Sequence, residues 1–100
     1  MDLPILCTLT ESELRERRQT VLDAIREAAI DVLRLPDGYA YRFSARSEVL
    51  SHLCRLVDLE RQCCRFLTFK IVVEAGEQPL RLEITGPPEA WPMIEELFGR

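Results

Sequence analysis

One hundred residues fit one compact domain but not two that each bury a core of their own. With 47% hydrophobic and 30% charged residues, the chain has the balance of an ordinary globular protein and not of a disordered one. A net charge of −4 argues against a nucleic-acid partner, which calls for a basic excess or stripe. No apolar run approaches the ~20 residues of a membrane span. Met1-Asp2-Leu3-Pro4 also lacks the basic start and long apolar segment of a signal peptide, so the expected location is the cytoplasm, with no membrane partner.

The reading gives a single domain over residues 1–100, opening on a short N-terminal arm. Leu3 to Leu9 is apolar but broken by Pro4, an arm or an edge strand at best. Thr10-x-x-Glu13 has the spacing of a capping box, and Leu9 can pack on Leu14 as a hydrophobic staple, so a helix starts at about Glu11. Leu14, Val21, Leu22, Ile25, Ala28 and Ala29 form its apolar stripe. Arg15, Arg17 and Arg18 alternate with Glu11, Glu13 and Glu16 and read as a solvated face with i,i+4 pairs such as Glu11–Arg15 and Glu13–Arg17.

From Ile30 the period shortens. Residues up to Leu35, the turn Pro36-Asp37-Gly38, and the alternating Tyr39, Tyr41 and Phe43 predict a hairpin, with proline and glycine placed for preset and positive φ; a helix continuous to Leu35 is the alternative, since Val21 to Leu35 also keeps helical spacing. A second helix beginning around Ala45 to Ser47 carries Leu50, Leu53, Leu56, Val57 and Cys64 on one face. Phe66 to Val73 and Leu80 to Ile84 predict a second antiparallel pair. Gly86-Pro87-Pro88-Glu89 then opens a last helix through Trp91, Met93, Ile94, Leu97 and Phe98. A weak internal echo aligns the segment from Tyr39 to Leu50 on that from Leu80 to Trp91, strand over strand.

The order α-ββ-α-ββ-α predicts an α+β fold, a two-layer sandwich whose four-stranded, mainly antiparallel sheet has helices on one face, with a permuted ferredoxin-like arrangement as one form of it. Such a sheet leaves its other face open, so a homodimer is the expected cover.

Glu60, Cys63 and Cys64 draw the chemical argument. Glu60 lies seven residues after Leu53, on the core-facing stripe, with Cys64 one turn beyond. A buried carboxylate needs a hydrogen-bonding or cationic partner, or a ligand. A disulfide between the adjacent cysteines is disfavoured, because trans neighbours hold their Cα atoms ~3.8 Å apart, below the ~4.4 Å lower end of ordinary bridges. His52 and Cys54 lie roughly 16 and 14 Å down the same helix, too far to join one metal with the pair. Only Glu60, a folded-back Cys7 or a second chain can add ligands, so the spacing does not support a closed four-ligand zinc site.

Glu60-x-x-Cys63-Cys64-x-Phe66-x-x-Phe69, with Pro36-Asp37-Gly38-Tyr39 before it and Leu82-x-Ile84-x-Gly86-Pro87 after it, resembles a family of small uncharacterised bacterial domains. Similar segments occur alone or appended to regulators of the mercury-resistance activator type (MerR-like). The resemblance spans about Leu9 to Gly99 and implies a metal- or thiol-linked role by association. Relatives often carry proline at the position of Arg65, which implies a helix running further here.

The function expected from these residues is a binding module in which Cys63 and Cys64, with Glu60, capture a soft metal ion. The alternatives are a thiol redox protein, and a structural or interaction domain whose cysteines only pack. An enzyme is least supported, since no Ser/His/Asp set, phosphate loop or paired-carboxylate site is readable.

Overall fold

The computed structural model describes residues 12–98, except the side chains of residues 12–15, 17 and 63. The elements are α1 (Ser12–Glu27), β1 (Ala29–Leu35), β2 (Gly38–Phe43), α2 (Ser47–Cys63), β3 (Thr68–Val72), β4 (Leu80–Thr85), a 3-10 turn (Pro88–Ala90) and α3 (Trp91–Phe98). This is the expected α+β order. The N-terminal arm, the capping box, the staple and the Glu11–Arg15 and Glu13–Arg17 pairs lie outside what is described.

The strands form one antiparallel sheet in the order β1-β2-β4-β3. β2 and β3 are therefore parallel to each other and flank β4, with α2 as their crossover, which makes a split β-α-β unit. α1 and β1 precede that unit where a ferredoxin-like chain would place a helix and strand after it, so the arrangement is the permuted one. The two strands of the internal echo, β2 and β4, are the two at the centre of the sheet.

The register explains which face is buried. Tyr39 pairs with Ile84, Tyr41 with Leu82 and Phe43 with Leu80, while Phe69 and Ile71 of β3 align with Ile84 and Leu82. These rows meet Val21, Leu22 and Ile25 of α1, Val49, Leu53 and Leu56 of α2, and Ile94 and Leu97 of α3, in one core. Phe98 adds two aromatic contacts, 4.9 Å from the Tyr41 ring and 5.5 Å from the Phe43 ring between centroids. The α2 stripe is rotated slightly from the expected one: Val49 is buried, whereas Leu50 and Val57 are only half-buried. The short α3 is tied down from α1, where the Arg26 guanidinium donates to the carbonyls of Leu97 at 2.6 and 2.8 Å and of Glu96 at 3.1 Å. A basic side chain satisfies carbonyls that the last turn of a helix leaves open.

The opposite face of the sheet is a charged ladder. Arg42 holds both carboxylate oxygens of Asp31, and Arg81 reaches Glu83 at 3.0 Å and Glu74 at 3.8 Å. The hydrogen bonds from Arg42 lower the Asp31 pKa below the usual carboxylate range. Tyr39, Tyr41 and Phe43 all point into the helix layer, so none of them needs a cover on the open face.

The first turn departs from its expected chemistry. Gly38 does not take a positive φ; the glycine that does is Gly76, in the connection between β3 and β4. Gly38 is required by close approach, since a Cβ there would stand 2.0 Å from the Ile84 carbonyl oxygen. The site tolerates no side chain because β2 and β4 pair at that point.

Leu53 has no exposed surface and sits at the centre of the helix layer. Leu53→Ala should therefore lower the unfolding free energy by about 2–5 kcal/mol in urea titrations, and a near-neutral effect would contradict this packing.

Candidate functional site

Glu60 is fully buried, as its place on the apolar stripe requires, and its partner comes from α1. The Arg18 Nε donates to Glu60 Oε1, across 42 residues of sequence. Arg18 was expected on the solvated face. It falls instead four and seven residues before Leu22 and Ile25, on the apolar stripe itself, and keeps 30% of its side chain exposed. That stripe position was the signal in the sequence. Two opposite charges, each placed where its own helix is otherwise apolar, are complementary when those helices pack together.

Cys64 caps α2, with its N–H on the Glu60 carbonyl at 2.6 Å and its carbonyl accepting from the Leu67 N–H at 3.1 Å. The helix stops at Cys63, so Arg65 does not prolong it. The Cys64 sulfur is buried 3.5 Å from Glu60 Oε2 and is committed to a disulfide. A half-cystine has no ionisable thiol and offers no thiolate to a metal. The side chain of Cys63 is outside what is described. Cys54 is a free, exposed cysteine on the outer side of α2.

The soft-metal site expected at Cys63, Cys64 and Glu60 is therefore corrected. Cys64 is bonded, Glu60 is neutralised by Arg18, and among the described residues no group of three or more His, Cys, Asp or Glu side chains is placed to hold a metal. The space beside them, lined by Arg18, Glu60, Cys64, Leu67, Met93 and Leu97, measures about 30 Å³. That is room for a water or two and not for a substrate.

The structure gathers a different constellation beside β1. The Asp37 carbonyl accepts from the Gly86 N–H at 2.9 Å and from the Trp91 indole at 3.1 Å, and the indole is shared with the Gly86 carbonyl at 3.1 Å. This fixes the Trp91 ring over the end of the first hairpin. The Arg34 guanidinium lies 4.0 Å from the Trp91 ring centroid and 4.8 Å from that of Tyr39, and donates to the Gly38 carbonyl at 3.2 Å. Tyr39 donates its hydroxyl to Glu95. Val32, Arg34, Tyr39, Trp91 and Glu95 line an open cleft of about 450 Å³.

β1 itself is a sheet edge. The two-residue turn makes Leu35 and Gly38 the hydrogen-bonded pair that closes the hairpin, so Leu33 and Asp31 share that pattern, whereas Val32 and Arg34 turn their main-chain groups outward. A bulge between Ala29 and Asp31 leaves Ile30 outside the ladder. Ile30 and Leu33 remain 53% and 51% exposed, and Val73 is the other large hydrophobic residue so exposed among the described residues.

No family model, no curated protein and no solved structure matches this chain. The resemblance to domains of mercury-resistance regulators is accordingly not upheld, and the vicinal thiols that carried its implied role are not a free pair. Among the described residues no helix is long and apolar enough to cross a membrane.

Two outcomes follow from the Glu60 environment. Arg18→Met takes the cation from a fully buried carboxylate and should cost about 3 kcal/mol in urea unfolding, whereas Glu60→Gln leaves an arginine that can turn to solvent and should cost about 1 kcal/mol. An equal or reversed order would overturn the assignment. Alkylation of the native protein without reductant, followed by peptide mapping, should modify Cys54 and leave Cys64 unmodified until reduction; a reactive Cys64 would restore the thiol reading.

Proposed function

We propose that this chain is a small interaction module that pairs with a second copy of itself along the β1 edge, extending the sheet to eight strands. The carrying observation is the exposed apolar edge at Ile30 and Leu33. Edge strands with open main-chain groups are templates for another strand, and proteins ordinarily blunt them with charge. Here the charges are occupied: Asp31 is held by Arg42 and Arg34 is stacked on aromatic rings.

A second copy suits this edge. In an antiparallel pairing centred on Leu33, the twofold axis brings the two Leu33 side chains together, places Val32 opposite Arg34, and sets Asp31 opposite Leu35. No like charges face each other, and the leucine pair removes exposed apolar surface. The charged ladder on the open sheet face argues against stacking two sheets face to face. The acidic balance favours a protein partner over a phosphate backbone. The reading is of a binding module and not a catalyst, its surfaces being an edge and a cleft without an activated nucleophile.

Light scattering at tens of micromolar should give a dimer mass for the native protein. Leu33→Lys, an exposed position that the fold itself does not use, should give a monomer with unchanged thermal stability of the protomer. A native monomer, or a dimer that survives Leu33→Lys, would refute the edge pairing.

A further inference from the structure

We infer that the cleft between β1 and α3 is a binding site for a small organic monocarboxylate with a flat apolar body, taken by Arg34 against the Trp91 wall. Arg34 stands apart from most of the described arginines. Arg18, Arg26, Arg42, Arg46, Arg61 and Arg81 each have an acidic partner, whereas no carboxylate among the described residues pairs with Arg34. It is nonetheless held in place by two rings and a main-chain acceptor. A guanidinium has five N–H donors in a planar fork, and one is engaged by Gly38. Stacking occupies its face and leaves its edge, which is the side that recognises a carboxylate in bidentate fashion.

The rest of the cleft sets the ligand class. Its volume, about 450 Å³, is within the usual range for small-molecule sites, and Val32, Tyr39 and Trp91 provide apolar walls for a ring or short chain. Glu95 lines the same cleft with a negative charge. Arg34 is the one cation of this lining and Glu95 opposes it, so every negative charge on a ligand beyond the one that the guanidinium takes is repelled, which disfavours phosphate dianions and polyphosphates. Val32 and Arg34 line the cleft and also lie within the proposed strand pairing, so the two surfaces adjoin and are tested separately.

Phenylacetate is a suitable probe, followed by the indole N–H resonance of Trp91, the single tryptophan of the chain. Saturable shifts should appear at millimolar concentrations or below. Phenylacetamide, its neutral counterpart, and inorganic phosphate should each bind at least about tenfold more weakly. Arg34→Gln should weaken phenylacetate by a similar factor while the amide spectrum away from the cleft stays native. Glu95→Gln, which keeps an acceptor for Tyr39 but removes the like charge, should tighten it, an effect that mere loss of packing would not produce. The inference is overturned if phenylacetate gives no saturation up to about 10 mM, if the amide or phosphate binds as well, or if either variant leaves the affinity unchanged. Running the same titration on Leu33→Lys separates this site from the dimer, since the cleft is complete within one chain.

Discussion

A carboxylate with no exposed surface has to be neutralised inside the fold, and the Arg18–Glu60 pair does this at the point where α1 crosses α2. Transfer of either charge from water is costly, so each restricts where the other helix can lie. The pair thereby fixes the rotation of α1, whose Val21, Leu22 and Ile25 then meet the sheet, and the end of α2, whose capping residue Cys64 is buried beneath the same carboxylate. What looked like a reactive cluster is a structural joint. Its charge is internal, its sulfur is bonded, and its free space is too small for a ligand.

A second set of constraints positions the surface that remains available. The Asp37 carbonyl gathers the Gly86 amide and the Trp91 indole, so the turn of the first hairpin, the end of β4 and the start of α3 converge on one oxygen. Gly38 and Gly86 make that convergence possible. A Cβ on Gly38 would overlap the Ile84 carbonyl, and one on Gly86 would stand 2.9 Å from the Leu67 side chain. Trp91 is thus held at the rim of the fold by main-chain atoms, which is why its face is available to Arg34. Burial raises the pKa of the neighbouring Tyr41, with Tyr39 and Glu95 adding to the effect, so Tyr41 stays neutral.

Much of the fold was legible because strong periods change at clear punctuation. The shift from helical to alternating spacing at Ile30, the Pro36-Asp37 turn and the Pro87-Pro88 entrance each have a local cause, and the elements fall where those causes place them. Long-range facts were legible only in part. Turn chemistry, being local, assigns Gly38 a positive φ, whereas the true reason for the glycine, the approach of β4, belongs to its pairing with Thr85, 47 residues away in sequence. Arg18 was read as solvated because charges usually are, although its stripe position was visible. The burial of Glu60 was correctly implied by Leu53, but the same reasoning could not choose between a cation from α1 and a ligand. Nor does adjacency of Cys63 and Cys64 reveal what either sulfur is bonded to.

The sheet divides its two exposures between different physics. On the open face, Arg42 and Arg81 are matched by Asp31, Glu74 and Glu83, so that surface is satisfied in water and gains little from being covered. Along β1 the situation is reversed. The bulge pushes Ile30 out of the ladder, Leu33 is paired with the small Ala40, and the helix-side flank of the strand lines a cleft and not the core. β1 thus presents an open edge on one side and, on its helix-side flank, an arginine stacked on the Tyr39 and Trp91 rings.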